Sequence, residues 1–179
     1  MPIESLDNWI YDEDGLREIV PDQNIAVGFY AISARYREVS EWTQPLVTAT
    51  TEGHSVLLAR ERDGFIEFLV PVIEEPGLAT GRALGPTWQQ YPGNAEPPPN
   101  WLVPHLDDVW GETRESDEGG RFIDHRSVFR IARLSERASA PPEEAGAWLR
   151  LSELKAFLES STRCNIQLRV ISSHLLGLR

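Results

Sequence analysis

The chain has 179 residues, 41% hydrophobic and 25% charged, with a net charge of −11. That balance suits a globular domain with a real core, and the acidic sum argues against a general nucleic-acid or anionic-membrane surface. Cys164 is the only cysteine, which excludes an internal disulfide and a cysteine-based zinc site.

In chain order, residues 1–24 read as polar and acidic, with Trp9, Ile10 and Tyr11 anchoring onto the body. The opening MPIESLDNWIYDEDG has neither the basic start nor the apolar stretch of a signal peptide. No apolar run approaches the roughly 20 residues that cross a bilayer. A cytoplasmic protein of one domain, residues 1–179, is expected. IAVGFYAISARYREV reads as one long or bulged strand, with Gly28 as the bulge. Trp42-Thr43-Gln44-Pro45 follows as a turn at the strand's end, where Trp42 offers a stacking surface and Gln44 an amide.

HSVLLARERDGFIEFLVPVI then predicts two strands about Arg62-Asp63-Gly64, because Asp-Gly suits a turn whose central residues take positive φ. Glu74 and Glu75 stand where the chain leaves this strand, and alternation lets at most one face a given site. Residues 75–104 are dense in proline and glycine and predict no regular element. Trp88, Tyr91 and Trp101 argue for an ordered wall or lid there. Within it, Thr87, Trp88, Gln89 and Tyr91 set a hydroxyl, an indole, an amide and a phenol in a proline frame, a composition suited to a polar small molecule.

Glu118-Gly119-Gly120-Arg121-Phe122 puts a carboxylate, two backbone-freeing glycines and an arginine ahead of a strand pattern through Leu134. Arg121 can hold a carboxylate, phosphate or carbonyl oxygen. Glu118 and His125 are the candidate proton-transfer groups. The chain closes with two helices. Ser152 is the expected cap of the first, with Leu154, Phe157 and Leu158 on one face, and Asn165 caps the second through about Leu176, with Gly177 as terminator. Strands followed by helices indicate an α+β fold. His54, His105 and His174 show no metal spacing, there is no phosphate-binding glycine loop, and no metal is expected. Lys155, the only lysine, sits on an ordinary helix face and leaves little scope for Schiff-base chemistry.

Several segments together resemble the NDP-hexose 2,3-dehydratase family: LDNWIYDEDG, EWTQPLV, GFIEFLVPVIEEPG leading to LGPTWQQYPG, ESDEGGRFIDHRSVFRIARL, and WLRLSELKAFLESSTRCNIQLRVISSHLLGL. They fall in order over about residues 6–178. The resemblance implies a Nudix-like mixed β-sheet with flanking helices. It covers a single repeat where family members carry two, which suggests a homodimer in place of the tandem pair. Arg37-Glu38-Val39-Ser40-Glu41 lacks the second adjacent glutamate of a Nudix hydrolase box, so magnesium-dependent diphosphate hydrolysis is not expected. The implied reaction is a cofactor-free 2,3-dehydration of an NDP-4-keto-6-deoxyhexose. The substrate's ketone acidifies the C3 proton, a base removes it, the C2 hydroxyl leaves as water, and the enol becomes a 3,4-diketone. Two other readings stand beside it: a natural-product tailoring enzyme performing another elimination, cyclisation or isomerisation, and a non-catalytic partner subunit. By motif position the resemblance carries over Trp42, Gln44, Thr87, Gln89, Glu118, Gly120, Arg121, Asn165, Gln167 and Arg169, the last three from the polar run opening the final helix. The expected site is one pocket walled by residues 85–104, floored by 118–122 and bordered by Trp42–Pro45.

Overall fold

The computed structural model describes residues 5, 7–13, 15–19, 25–94, 96–136, 138–159 and 163–175. Its strands are β1 (Trp9–Asp12), β2 (Gly15–Glu18), β3 (Ile25–Ser33), β4 (Glu41–Ala49), β5 (Gly53–Arg62), β6 (Phe65–Val70), β7 (Val72–Glu74), β8 (Arg82–Leu84), β9 (Trp88–Gln90), β10 (Val109–Ser116), β11 (Phe122–Ile123), β12 (Arg126–Arg133) and β13 (Ala147–Arg150). Two helices follow, α1 (Leu151–Glu159) and α2 (Ile166–Leu175). The class is α+β, as the strand-then-helix order of the sequence implies. No helix among the described residues is long and apolar enough to cross a membrane.

The chain divides into two compact units. The first takes Met1–Gly53, Tyr91–Glu96 and Glu115–Ser127, and the second His54–Gln90, Pro97–Arg114 and Val128–Arg179.

In the first unit the strands run β1-β2-β3-β4-β11, with β11 parallel to β4. The acidic N-terminal stretch supplies a hairpin, β1 on β2, and Tyr11 is 57% exposed rather than an anchor. Gly28 is no bulge: β3 and β4 pair without interruption from Ile25↔Ala49 to Ser33↔Glu41. Its missing side chain instead makes room for the Tyr30 ring, which would lie 2.8 Å from a Cβ. Trp42–Pro45 is likewise not a turn but the first half of β4. Pro45 is tolerated there because β11 pairs only with Val47 and Thr48, leaving that side of β4 without a ladder at residue 45.

The second unit is built on the sheet β10-β12-β5-β6-β13, with β9 on β5. Successive β5 side chains alternate between two cores. Leu57 and Ala59 join Phe68, Phe129, Ile131 and the helical residues Leu154, Leu168 and Ile171. Val56 and Leu58 join Leu69, Leu102 and Ala132, with Trp88 and Trp101 packed against them. Burial on both faces explains why Val56–Ala59 is a continuous apolar run. Leu57 and Leu58, both fully buried, contribute about 1.5–3 kcal/mol each. Asp63 (φ 51) and Gly64 (φ 76) make the two-residue hairpin between β5 and β6.

Residues 75–104 are more regular than their prolines suggest. β8 pairs with β7, β9 pairs with β5, and Val103–His105 makes a 3-10 turn. The two strands fit between the breakers because each is three residues long, and the 3-10 turn takes Pro104 into its first turn. Glu153 Oε2 accepts the Arg150 N–H at 2.8 Å, so α1 starts one residue before the expected Ser152 cap. The cap on α2 is Asn165, whose Oδ1 accepts the Leu168 N–H at 2.9 Å. Leu176 and Gly177 lie outside the described residues.

Candidate functional site

In the first unit, β4 and the 118–122 turn lie together. Gln44 Oε1 accepts the Trp42 indole N–H at 2.5 Å, and Gln44 Nε2 donates to the Gly120 carbonyl at 2.6 Å. The amide expected to read a ligand therefore fastens strand to turn. The Val47 N–H, donating to the Arg121 carbonyl at 2.8 Å, adds a second tie. Neither Gly119 nor Gly120 takes a positive φ, and a Cβ on either would meet open space. The turn does not require glycine for its own geometry. Arg121 projects outward, its side chain 75% exposed, and pairs with Glu118 at 3.4 Å. Glu118 is 68% exposed.

His125 stands differently. Its ring is buried and stacked on Phe122 with centroids 4.7 Å apart. Nδ1 lies 3.4 Å from Asp117 Oδ2, while Nε2 is buried without a hydrogen-bond partner. Asp124, at φ 51, turns the chain between β11 and His125. A carboxylate on Nδ1 fixes that nitrogen as the donor and leaves Nε2 as a proton acceptor. Tyr91, also in this unit, is 41% exposed.

In the second unit, the Thr87–Gln89 residues separate by face. Thr87 is buried; its hydroxyl donates to the Leu69 carbonyl at 2.6 Å and accepts the Leu58 N–H at 2.8 Å, joining two strands rather than facing a ligand. Gln89 Oε1 accepts Asn165 Nδ2–H at 2.7 Å, and Glu75 Oε2 stands 3.4 Å from the same nitrogen. Arg169 Nε donates to the Cys164 carbonyl at 3.1 Å. Gln167 Oε1 is buried without a partner. Burial pushes the Cys164 thiol up, with Arg169 pulling it part of the way back.

Trp88 faces the other way. With His54, Ser55, Val56, Gln90, Pro98, Leu106, Val128 and Arg130 it lines a cavity of about 250 Å³. Register explains the grouping, since Val56↔Trp88 and His54↔Gln90 are successive pairs on one face of β5 and β9. Arg130 donates from Nε and Nη2 to Glu112 Oε2. This bond, with charge from Arg130, Arg114 and His54, holds the Glu112 carboxyl below its usual range. His54 and Arg130 were missed in the sequence because only strand register brings them to Trp88. A wider cleft of about 1020 Å³ includes Arg60, Asp63, Asp107, Asp108, Arg133 and Glu136. Its carboxylates outnumber its arginines, and Arg60 is already held by Glu67 at 2.7 Å and stacked on Trp148 at 4.0 Å. It is the poorer host for an anionic substrate. Among the described residues no group of three or more His, Cys, Asp or Glu is placed to hold a metal ion.

Comparison with known proteins bears on these arrangements. The dTDP-4-dehydro-6-deoxy-alpha-D-glucopyranose 2,3-dehydratase of Saccharopolyspora spinosa is 31% identical over 187 residues, covering 99% of this chain and 38% of that protein. The enzyme of the same name from Amycolatopsis orientalis is 31% identical over 79% of this chain and 31% of its own length. The chain thus spans about a third of the length of the curated relatives it matches. Among solved structures, C. elegans Ap4A hydrolase overlays 70% of the chain and 98% of its own at a TM-score of 0.39 and 14% identity. An ADP compounds hydrolase overlays 87% of the chain and 96% of its own at 0.41 and 14%. Residues 1–175 match the family profile described as NDP-hexose 2,3-dehydratase, and the chain belongs to that family.

Proposed function

We propose that the protein takes part in 2,3-dehydration of a sugar nucleotide, an NDP-4-keto-6-deoxyhexose, in deoxysugar biosynthesis. The observation that carries this reading is the family match over residues 1–175, supported by relatives named for that reaction on a dTDP-linked sugar. Elimination needs a base at C3, donors for the developing enolate, and an acid for the departing C2 hydroxyl. The substrate's ketone receives the electron pair, so no cofactor enters.

His125 is the better of the two expected proton-transfer groups. Asp117 orients it, and Nε2 is the atom left to take the proton. Because Nε2 is closed from solvent, the turn carrying Phe122 has to lift for substrate to reach it. Arg121 then exchanges Glu118 for a substrate oxygen, which its exposure permits.

The test is incubation with dTDP-4-keto-6-deoxyglucose, following loss of one water by mass spectrometry. His125→Gln should lower the rate by about a hundredfold to ten-thousandfold, and Asp117→Asn should reproduce part of that loss. Arg121→Ala should weaken substrate binding without unfolding the protein. A substrate mass unchanged by the wild-type protein overturns the dehydratase reading. Full activity in His125→Gln overturns the assignment of the base.

Assembly as a homodimer belongs to the same proposal. The register carries Tyr11, Leu16, Val27, Val47 and Phe122 onto one face across all five strands of the first sheet. Phe29 and Pro45 sit beside them as a cross-strand pair. Phe29 is 66% exposed, and an apolar face of this kind favours association.

A further inference from the structure

We infer that the 250 Å³ cavity of the second unit is a nucleobase site, taking the pyrimidine ring of a sugar nucleotide against Trp88. The inference rests on the sugar-nucleotide substrate class of the reading above, not on its His125 assignment, and adds where the base is held.

Size comes first. The cavity is smaller than the ~300–1,000 Å³ pockets that bury a drug-sized ligand, so it admits one ring and not a whole sugar nucleotide. Its walls decide which ring. Val56, Pro98, Leu106 and Val128 are apolar and Trp88 is aromatic. A hexose carries hydroxyls around most of its perimeter, and each one pressed on such walls loses its hydrogen bonds to water. A pyrimidine has two flat apolar faces and gathers its polar atoms at its edge. Its face matches an indole, where stacking contributes about 1–3 kcal/mol per base.

Polar groups stand where that edge would need them. His54 pairs with Gln90 in register, one pair along the same face from Val56 and Trp88. One end of the ribbon is therefore polar and the other carries the indole. Arg130 shares a face of β12 with Val128, two residues away. Its fork to Glu112 uses Nε and Nη2, leaving Nη1 to donate to a ring carbonyl. The Glu112 carboxylate also balances the guanidinium charge, which suits a neutral carbonyl better than a phosphate.

The experiment titrates the protein calorimetrically with thymidine diphosphate, thymidine and methyl glucoside. Saturation-transfer NMR on the wild-type complex reads which ligand protons meet the protein. Thymidine should bind by itself, with the base C6 proton and methyl group receiving more saturation than the ribose. Trp88→Ala should weaken thymidine and thymidine diphosphate about tenfold or more, and Trp88→Phe should recover most of that loss. Thymidine diphosphate binding equally well to a folded Trp88→Ala protein overturns the base site and leaves the dehydratase reading standing. Displacement of thymidine by methyl glucoside, or stronger saturation of the ribose than of the base, overturns it in favour of a sugar pocket. No binding of thymidine diphosphate to the wild-type protein overturns the base site, and turnover of the sugar nucleotide decides the parent reading separately.

Discussion

Asn165 donates its Nδ2–H to Gln89 Oε1 at 2.7 Å, joining two residues 76 positions apart in sequence. Both were candidates for contact with substrate, and each serves as the other's partner. Asn165 also caps α2 through Oδ1, so its amide is used at both ends inside the second unit.

Asn165→Ala is therefore expected to act on stability. Loss of the cap costs about 0.5–2 kcal/mol, and loss of the bond to Gln89 adds to it. Asn165→Ser should restore the cap but not the bond to Gln89. Urea denaturation of the three proteins should rank wild type, Asn165→Ser and Asn165→Ala in that order. Unchanged stability in Asn165→Ala with lost substrate affinity would return the residue to the binding surface.

Thr87 makes a parallel case. Its hydroxyl stands between the Leu69 carbonyl and the Leu58 N–H, both bonds buried. Thr87→Val keeps the shape and removes both, leaving a backbone donor and acceptor to be satisfied elsewhere. A loss of about 1–3 kcal/mol is expected, with Thr87→Ser close to wild type. Equal midpoints for Thr87→Val and wild type in thermal unfolding would show the hydroxyl is dispensable.

Local signals in the sequence were read well and register-dependent ones were not. The Asp63-Gly64 hairpin and the Asn165 cap each follow from a backbone need that neighbouring residues settle among themselves. β9 is three residues without a usable period, and it is a strand because β5 offers an edge for it. Trp42–Pro45 reads in the sequence equally as a strand-end turn or a ligand-facing motif, because proline usually ends a strand, whereas here it falls where β4 has no partner on one side. The site is of the second kind. The tie between Gln44 and Gly120 is not legible, since the sequence reads Gln44 as an amide for a ligand. The cavity residues His54 and Arg130 carry no local mark, and Asp117 acquires its role only when the chain folds His125 back to it.

His105 gives the stability a pH dependence of predictable sign. Its side chain is fully buried, and Nδ1 accepts the Ser135 N–H at 3.1 Å, which requires that nitrogen unprotonated. Burial lowers its pKa below the ordinary imidazole value, and the backbone of Ser139 offsets part of the shift. Between the depressed folded value and the ordinary unfolded one, the unfolded chain binds more protons than the native one, so stability rises with pH there. The contribution is complete above the ordinary histidine range and fades as pH falls toward the folded value. Urea midpoints across mildly acidic pH should fall for the wild type and fall less steeply for His105→Asn. Identical slopes would remove His105 from the account.

One face of the first sheet carries two exposed rings, Tyr11 and Phe29. Tyr11, Leu16, Val27, Val47 and Phe122 form a row across β1, β2, β3, β4 and β11, and Phe29 extends it. Phe29 is 66% and Tyr11 57% exposed. A second copy laying the β1–β3 end of this face against its own would bury Tyr11 and Phe29 around a twofold axis and leave the Phe122 turn at the β11 edge free. Phe29 contributes little to its own sheet at that exposure, so Phe29→Glu should leave the melting temperature of the isolated chain nearly unchanged. Paired with its own copy across the axis, the new carboxylate would be desolvated beside a like charge. Sedimentation at micromolar concentration should show a dimer for the wild type and a monomer for Phe29→Glu. A monomeric wild type would refute the homodimer, and a dimer that survives Phe29→Glu would move the interface to another surface.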